Sequence, residues 1–145
     1  MTQGWDVFFS HSTRRDGNTY TDSLMEGVYL CLTGDGRRVF LDRECAILED
    51  TFVHALRDRL DHSRVAALFI GPLFWKSPWV ELERDYIARL LAGGRIRLLC
   101  LRTAPGEPIP SWVSAADVLD VPPTAPISES VRLVCGRLNQ MLDSA

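Results

Sequence analysis

Residues 65–70, Val-Ala-Ala-Leu-Phe-Ile, form an unbroken apolar run closed by Gly71-Pro72. A strand with one wet face alternates apolar and polar side chains, so a run without alternation belongs to a strand covered on both faces. Strands of that kind sit in the middle of parallel sheets, whose crossover connections carry helices onto either side. The run is also far too short to span a bilayer.

The rest of the chain supplies the neighbours such a strand needs. Trp5-Asp6-Val7-Phe8-Phe9 reads as a first strand ending in the polar Ser10-His11-Ser12-Thr13. Tyr20, Leu24, Val28 and Cys31 recur at helical spacing, Leu32 widens the stripe, and Gly34 and Gly36 end it. Val39-Phe40-Leu41 is a short second strand stopped by Asp42-Arg43-Glu44. Asp50 or Thr51 can cap the next helix, with Phe52, Val53, Leu56 and Leu60 on its apolar face. After the central run, Ser77-Pro78 opens a helix that lasts to Gly93-Gly94. Ile96 to Leu101 reads as a fourth strand, followed by a proline-rich loop and a fifth strand, Val118-Leu119-Asp120-Val121. Ser128 is expected to cap a closing helix through Val131, Val134, Leu138 and Met141. Strand–helix alternation of this length predicts an α/β fold: a flavodoxin-like five-stranded parallel sheet, order 2-1-3-4-5, with helices on both faces. No repeat, low-complexity tract or linker interrupts it, so residues 1–145 are assigned to a single domain.

Charge and cysteine usage narrow the function classes. A net charge of -3 gives no electrostatic ground for a nucleic-acid or membrane partner. Met1 to Asp6 has neither a basic nor an apolar leader segment, so no signal peptide and a cytoplasmic location are expected. Cys31, Cys45, Cys100 and Cys135 are scattered without a CxxC pair and are expected to be free thiols. His11, His54 and His62 do not combine with them at ligand spacing, so no metal site is expected.

In a parallel sheet of this order ligands bind beyond the carboxyl ends of the strands, near the switch point. Ser10, His11, Ser12 and Thr13 follow the first strand there, Asp42 and Glu44 follow the second, and Trp79, Glu81 and Glu83 follow the third. Adjacent Ser10 and His11 would diverge from an extended chain end, a poor nucleophile–base pair. No GxGxxG or P-loop is present. Taken alone, Ser10–Thr13 reads as a turn and cap, and Asp42 and Glu44 as loop acids in water. Trp79 and Glu83 are four apart on one helix and share a face, whereas Glu81 does not. A carboxylate beside an indole near a helix N-terminus can bind sugar hydroxyls or balance developing positive charge. The bland alternative is a surface helix with a half-buried Trp79 and a solvated Glu83, and pattern alone favours it.

Three segments resemble a known family. Asp6-Val7-Phe8-Phe9-Ser10-His11-Ser12 is similar to the first motif of TIR (Toll/interleukin-1 receptor) domains. Val39-Phe40-Leu41-Asp42-Arg43-Glu44 resembles the start of the second. Ser63-Arg64-Val65, Pro72 and Ser77-Pro78-Trp79-Val80-Glu81-Leu82-Glu83 resemble the third-strand region and the Ser-x-Trp-x-x-x-Glu segment of bacterial, NAD-cleaving members. The resemblance implies either a glycohydrolase that breaks the nicotinamide–ribose bond of NAD+ or a non-catalytic module that assembles with other TIR domains. In the catalytic case it implies Glu83 as the catalytic residue, and NAD+ as substrate rather than cofactor. It places Trp79, Phe9, Ser10, His11, Ser12 and Asp42 around the substrate. It further implies homo-oligomeric assembly, a fused or separate sensor module, and a role in bacterial antiphage defence. A third possibility is a related small α/β enzyme acting on another nucleoside bond. The chain departs from the family where Pro-Gly usually follows the second motif, since Glu49-Asp50 stands there. Arg14 and Arg15 lie near, but not at, the offset where some NAD-cleaving relatives place arginine.

Overall fold

The computed structural model describes residues 4–11, 19–41, 57–72, 74 and 78–144, with the main chain alone for 19 and 78–83. Its elements are β1 (Trp5–Ser10), α1 (Thr19–Gly34), β2 (Val39–Leu41), β3 (Ser63–Ile70), α2 (Pro78–Ala92), β4 (Arg97–Arg102), β5 (Val118–Asp120) and α3 (Ile127–Asp143). The five strands form one sheet in the order β2-β1-β3-β4-β5, as expected. All pairings are parallel, with Val7 opposite both Val39 and Val65, and Leu68 opposite both Ser10 and Cys100.

The pleat of the strands divides the interior into two cores. Val7 and Phe9 of β1 and Val65, Ala67 and Phe69 of β3 face α1 and α3. Phe8, Ala66, Leu68 and Ile70 face the other way, toward Ile87 and Leu90 of α2 and Leu60. Every residue of the 65–70 run is therefore buried, which accounts for the missing alternation. Each fully buried large apolar side chain contributes about 1.5–3 kcal/mol relative to exposure. Phe9 and Phe69 also meet as a tilted aromatic pair with centroids 4.8 Å apart.

Glycines in the left-handed region stop two of the helices. Gly36 has φ +84° after α1 and Gly94 has φ +67° after α2. At the first, Gly36 N–H donates to Thr33 O at 3.1 Å and Arg37 N–H to Leu32 O at 3.0 Å. At the second, Gly94 N–H donates to Leu91 O at 3.1 Å and Arg95 N–H to Leu90 O at 2.9 Å. Both are Schellman motifs, in which a left-handed residue closes the last carbonyls. The start of α3 differs from expectation. The helix begins at Ile127, one residue before the expected cap Ser128, with Pro126 in the cap position and no side-chain cap. The carbonyl of Pro126 instead accepts from Glu129 and Ser130 N–H, each at 3.1 Å, so the main chain does the work assigned to a serine. The fifth strand closes at Asp120, one residue sooner than read. Among the described residues no helix is long and apolar enough to cross a membrane.

Candidate functional site

The carboxyl ends of β1, β3, β4 and β5 define one rim of the sheet, and the described polar residues there are tied into the scaffold. Ser10 is 1% exposed and His11 8%, so the end of β1 carries its polar side chains inside the molecule. Thr103, just past β4, donates its N–H to Ile70 O at 3.0 Å and its hydroxyl lies 2.6 Å from that of Thr21 in the first turn of α1. Both threonines are buried. Their contact fastens the start of α1 across the ends of β3 and β4. Tyr20 adds a second tie: its hydroxyl donates to Ala125 O at 3.0 Å and lies 2.8 Å from Ser130 Oγ. At the edge, Arg102 grips Asp120 through Nε to Oδ1 at 2.6 Å and Nη2 to Oδ2 at 3.2 Å. That hydrogen-bonded pairing lowers the Asp120 pKa below the ordinary carboxylate value and raises that of Arg102.

On the opposite face of the sheet, α2 leaves the rim. It starts at Pro78, eight residues after β3 ends, so its amino end stands at the mouth. Positions 79 and 83 precede Ile87 at four-residue steps, and Leu90 follows three on. Ile87 and Leu90 are buried against the sheet. The helix row that carries residues 79 and 83 is thus the row that faces the sheet further down. Position 83 lies about 6 Å along the axis from position 79 at the helical rise. Tyr86 is anchored nearby by donating its hydroxyl to Asp61 Oδ1 at 2.5 Å. Burial, then that hydrogen bond, raises the Tyr86 pKa.

The sequence matches the TIR domain family over residues 7–128. This chain belongs to the TIR domain family. No curated protein matches it. Among solved structures it is similar to the TIR domains of the activated Roq1 resistosome directly recognising the pathogen effector XopQ. The TM-score is 0.55 at 13% identity, over 97% of this chain and 80% of that one. At that identity the likeness establishes a shared fold.

Within this TIR domain the sequence-derived site residues fall into three groups. Ser10 and His11 lie together at the end of β1, and the Phe9 ring is 2% exposed in the core beside Phe69. Trp79 and Glu83 lie in the first two turns of α2. Ser12, Asp42, the Glu49-Asp50 loop, Arg14 and Arg15 fall outside the described residues. Thr21, Thr103, Tyr20 and Ser130, which brace the rim, were not singled out from sequence. Tyr20 reads as one more apolar helix position and Thr103 as part of a proline-rich loop, and nothing local signals that they meet partners some 80 to 110 positions away.

Two cavities lined by described residues adjoin the rim. One of about 500 Å³ lies between α2 (Arg84, Asp85) and the loop carrying Pro108 and Trp112. The other, about 510 Å³, lies across that loop and includes Arg102 and Asp120. A third, about 320 Å³, sits at the far end of the sheet beside Arg64, Arg97 and Met141. There Arg97 Nη1 donates to Met141 O at 2.6 Å, neutralising the carbonyl end of α3, so its cations serve the helix dipole. Cys31, Cys100 and Cys135 are free thiols, as expected, and Cys45 lies outside the described residues. Burial pushes the Cys100 thiol up to about 12, which keeps it an unreactive core residue.

Proposed function

We propose that this TIR domain cleaves the nicotinamide–ribose bond of NAD+, with Glu83 as the catalytic carboxylate. The observation that carries the reading is the position of residue 83. It lies four residues after Trp79, in the mouth-side half of α2, on the helix row that continues into buried Ile87 and Leu90.

The chemistry asks little of the protein beyond that one acid. The C1′–N bond breaks with its electron pair leaving on nicotinamide, which departs neutral and so needs little acid assistance. The ribose left behind is oxocarbenium-like, and a carboxylate held near it stabilises the positive charge. Water then adds at C1′ and gives up a proton, producing ADP-ribose. Attack by a nitrogen of the adenine in place of water gives a cyclised product. Trp79 would wall the site and Ser10, His11, Ser12 and Asp42 would surround the ribose, with Phe9 supporting them from the core. We further infer activation by self-assembly with other TIR domains, under a fused or separate sensor, in cytoplasmic antiphage defence. The fold shared with TIR domains of a resistosome supports this, since that protein acts in pathogen recognition.

The test is nicotinamide release from NAD+ by the purified chain, concentrated or clustered on a scaffold, followed by HPLC. Turnover is expected in the native chain, none in Glu83→Ala with its circular dichroism intact, and near-native turnover in Glu81→Ala. No turnover under clustering, or full turnover in Glu83→Ala, refutes the assignment. NAD+ left intact while another nucleotide in a panel is cut moves the activity to a different nucleoside bond. Intact nucleotides throughout, with self-association retained, leave the chain an interaction module.

A further inference from the structure

Away from the mouth, α1 and α3 bring together three side chains with metal-ligand chemistry. Cys31 lies on α1, Asp35 in the turn that ends it and Cys135 on α3. The two sulfurs and a carboxylate oxygen all lie within 4.8 Å of one another. The geometry points to a site for a divalent metal of the zinc class, held by Cys31, Asp35 and Cys135, that joins the two helices toward the amino end of the sheet.

Distance is the first argument. A tetrahedral zinc with sulfur at about 2.3 Å and oxygen at about 2.1 Å sets its ligand atoms about 3.6–3.8 Å apart. Cys135 Sγ lies 3.7 Å from Asp35 Oδ2. Rigidity is the second. Asp35 N–H donates to Cys31 O at 3.1 Å, so these two ligands stack one helical turn apart, and the Schellman motif at Gly36 fixes where the turn stops.

The third argument is the surrounding shell. Asn139 Nδ2 donates to Asp35 Oδ2 at 2.9 Å and lies 3.7 Å from Cys135 Sγ. Asn139 Oδ1 in turn accepts from Arg37 Nε at 2.8 Å, and Arg37 Nη2 holds Asp143 at 2.7 Å. Metal ligands are commonly oriented by such outer hydrogen bonds. Burial is graded from Cys135 inside, through half-buried Cys31, to exposed Asp35, which gives an ion an entry path and leaves a fourth position for water. Two thiolates with one carboxylate suit zinc over calcium or magnesium, which prefer oxygen throughout. On binding, both thiols release their protons to solvent. Motif spacing could not disclose the site, because Cys135 lies 100 positions from Asp35.

Cobalt substitution tests this. The full chain carrying Cys45→Ser, reduced with a phosphine and stripped by chelator, is titrated anaerobically with Co²⁺. One equivalent is expected to give a thiolate-to-cobalt charge-transfer band and the strong visible bands of a tetrahedral site. Zn²⁺ should abolish both and raise the melting temperature. Cys31→Ser and Cys135→Ser should remove the charge-transfer band. Exposed Asp35→Asn, which spares the packed interior, should weaken binding while the fold is retained, and Asn139→Leu should lower affinity about 10–100-fold. Absence of the band at stoichiometric cobalt overturns the proposal. So does a band that persists in Cys31→Ser, or a reduced chain that ignores both metals yet forms a Cys31–Cys135 disulfide in air.

Discussion

Gly27 sits in the middle of α1 where α3 crosses it, and replacing it with alanine sets two known effects against each other. In an exposed helix the change stabilises by about 0.8–1.0 kcal/mol. Here a β-carbon at position 27 would stand 2.5 Å from Val131 Cγ2 and 3.4 Å from its Cγ1. A separation of 2.5 Å between carbons is well inside contact distance, and valine in a helix has essentially one χ1 rotamer in which to yield. Overpacking of this kind costs about 1–3 kcal/mol. The clash outweighs the propensity, so Gly27→Ala should destabilise by about 1 kcal/mol net, or about 4 °C in melting temperature for a chain of this size. Val131→Ala removes the obstructing methyls. In that background Gly27→Ala should change sign and stabilise by up to about 1 kcal/mol. Urea denaturation of the four proteins, followed by tryptophan fluorescence and circular dichroism, gives the cycle directly, with an expected coupling of about 1–2 kcal/mol. Stabilisation by Gly27→Ala alone, or a coupling near zero, refutes the claim that this glycine exists to admit α3.

Two further outcomes follow from the rim. Thr103→Val should cost about 1–3 kcal/mol by leaving the Thr21 hydroxyl buried without its partner at 2.6 Å, and adding Thr21→Val should recover most of the loss; equal losses in the single and double variants would contradict this. The Asp120 carboxylate titrates below its ordinary value of 3.8 because Arg102 holds it, so its contribution is present above that value and fades as pH falls through the lower folded one. Asp120→Asn should therefore flatten part of the acid limb of stability. The change should stay under about 1 kcal/mol, since the Asp120 carboxylate is more than half exposed to solvent. A larger effect near neutral pH would point elsewhere.

The parts of the fold that were legible in sequence are those set by periodicity and chain stiffness. The central strand announced itself by lacking alternation, α2 by Pro78 at its first position, and α1 and α2 by glycines past their ends. The cap of α3 lies two residues before the serine that the sequence suggests, because a serine is the commoner cap, whereas here a proline carbonyl suffices. Trp79 and Glu83 could be read as a pair from spacing, but that their row continues into the core-packed part of α2 could not. That required knowing that Ile87 and Leu90, rather than the other side of α2, meet the core. The rim braces and the cysteine cluster were invisible for one reason. Each is made by residues from distant parts of the chain, and only the sheet order brings them together.

The doubly buried β3 has an engineering corollary. A strand packed on both faces cannot shift for one layer without disturbing the other. Its carboxyl end is therefore a fixed datum from which connections project. Redesign of ligand preference belongs in those connections, where chain length and side chains can vary at small energetic cost. Libraries confined to the segments after β1, β2 and β4, with buried Ser10, His11 and Thr103 held fixed, should yield many folded variants, whereas libraries reaching into residues 65–70 should yield few.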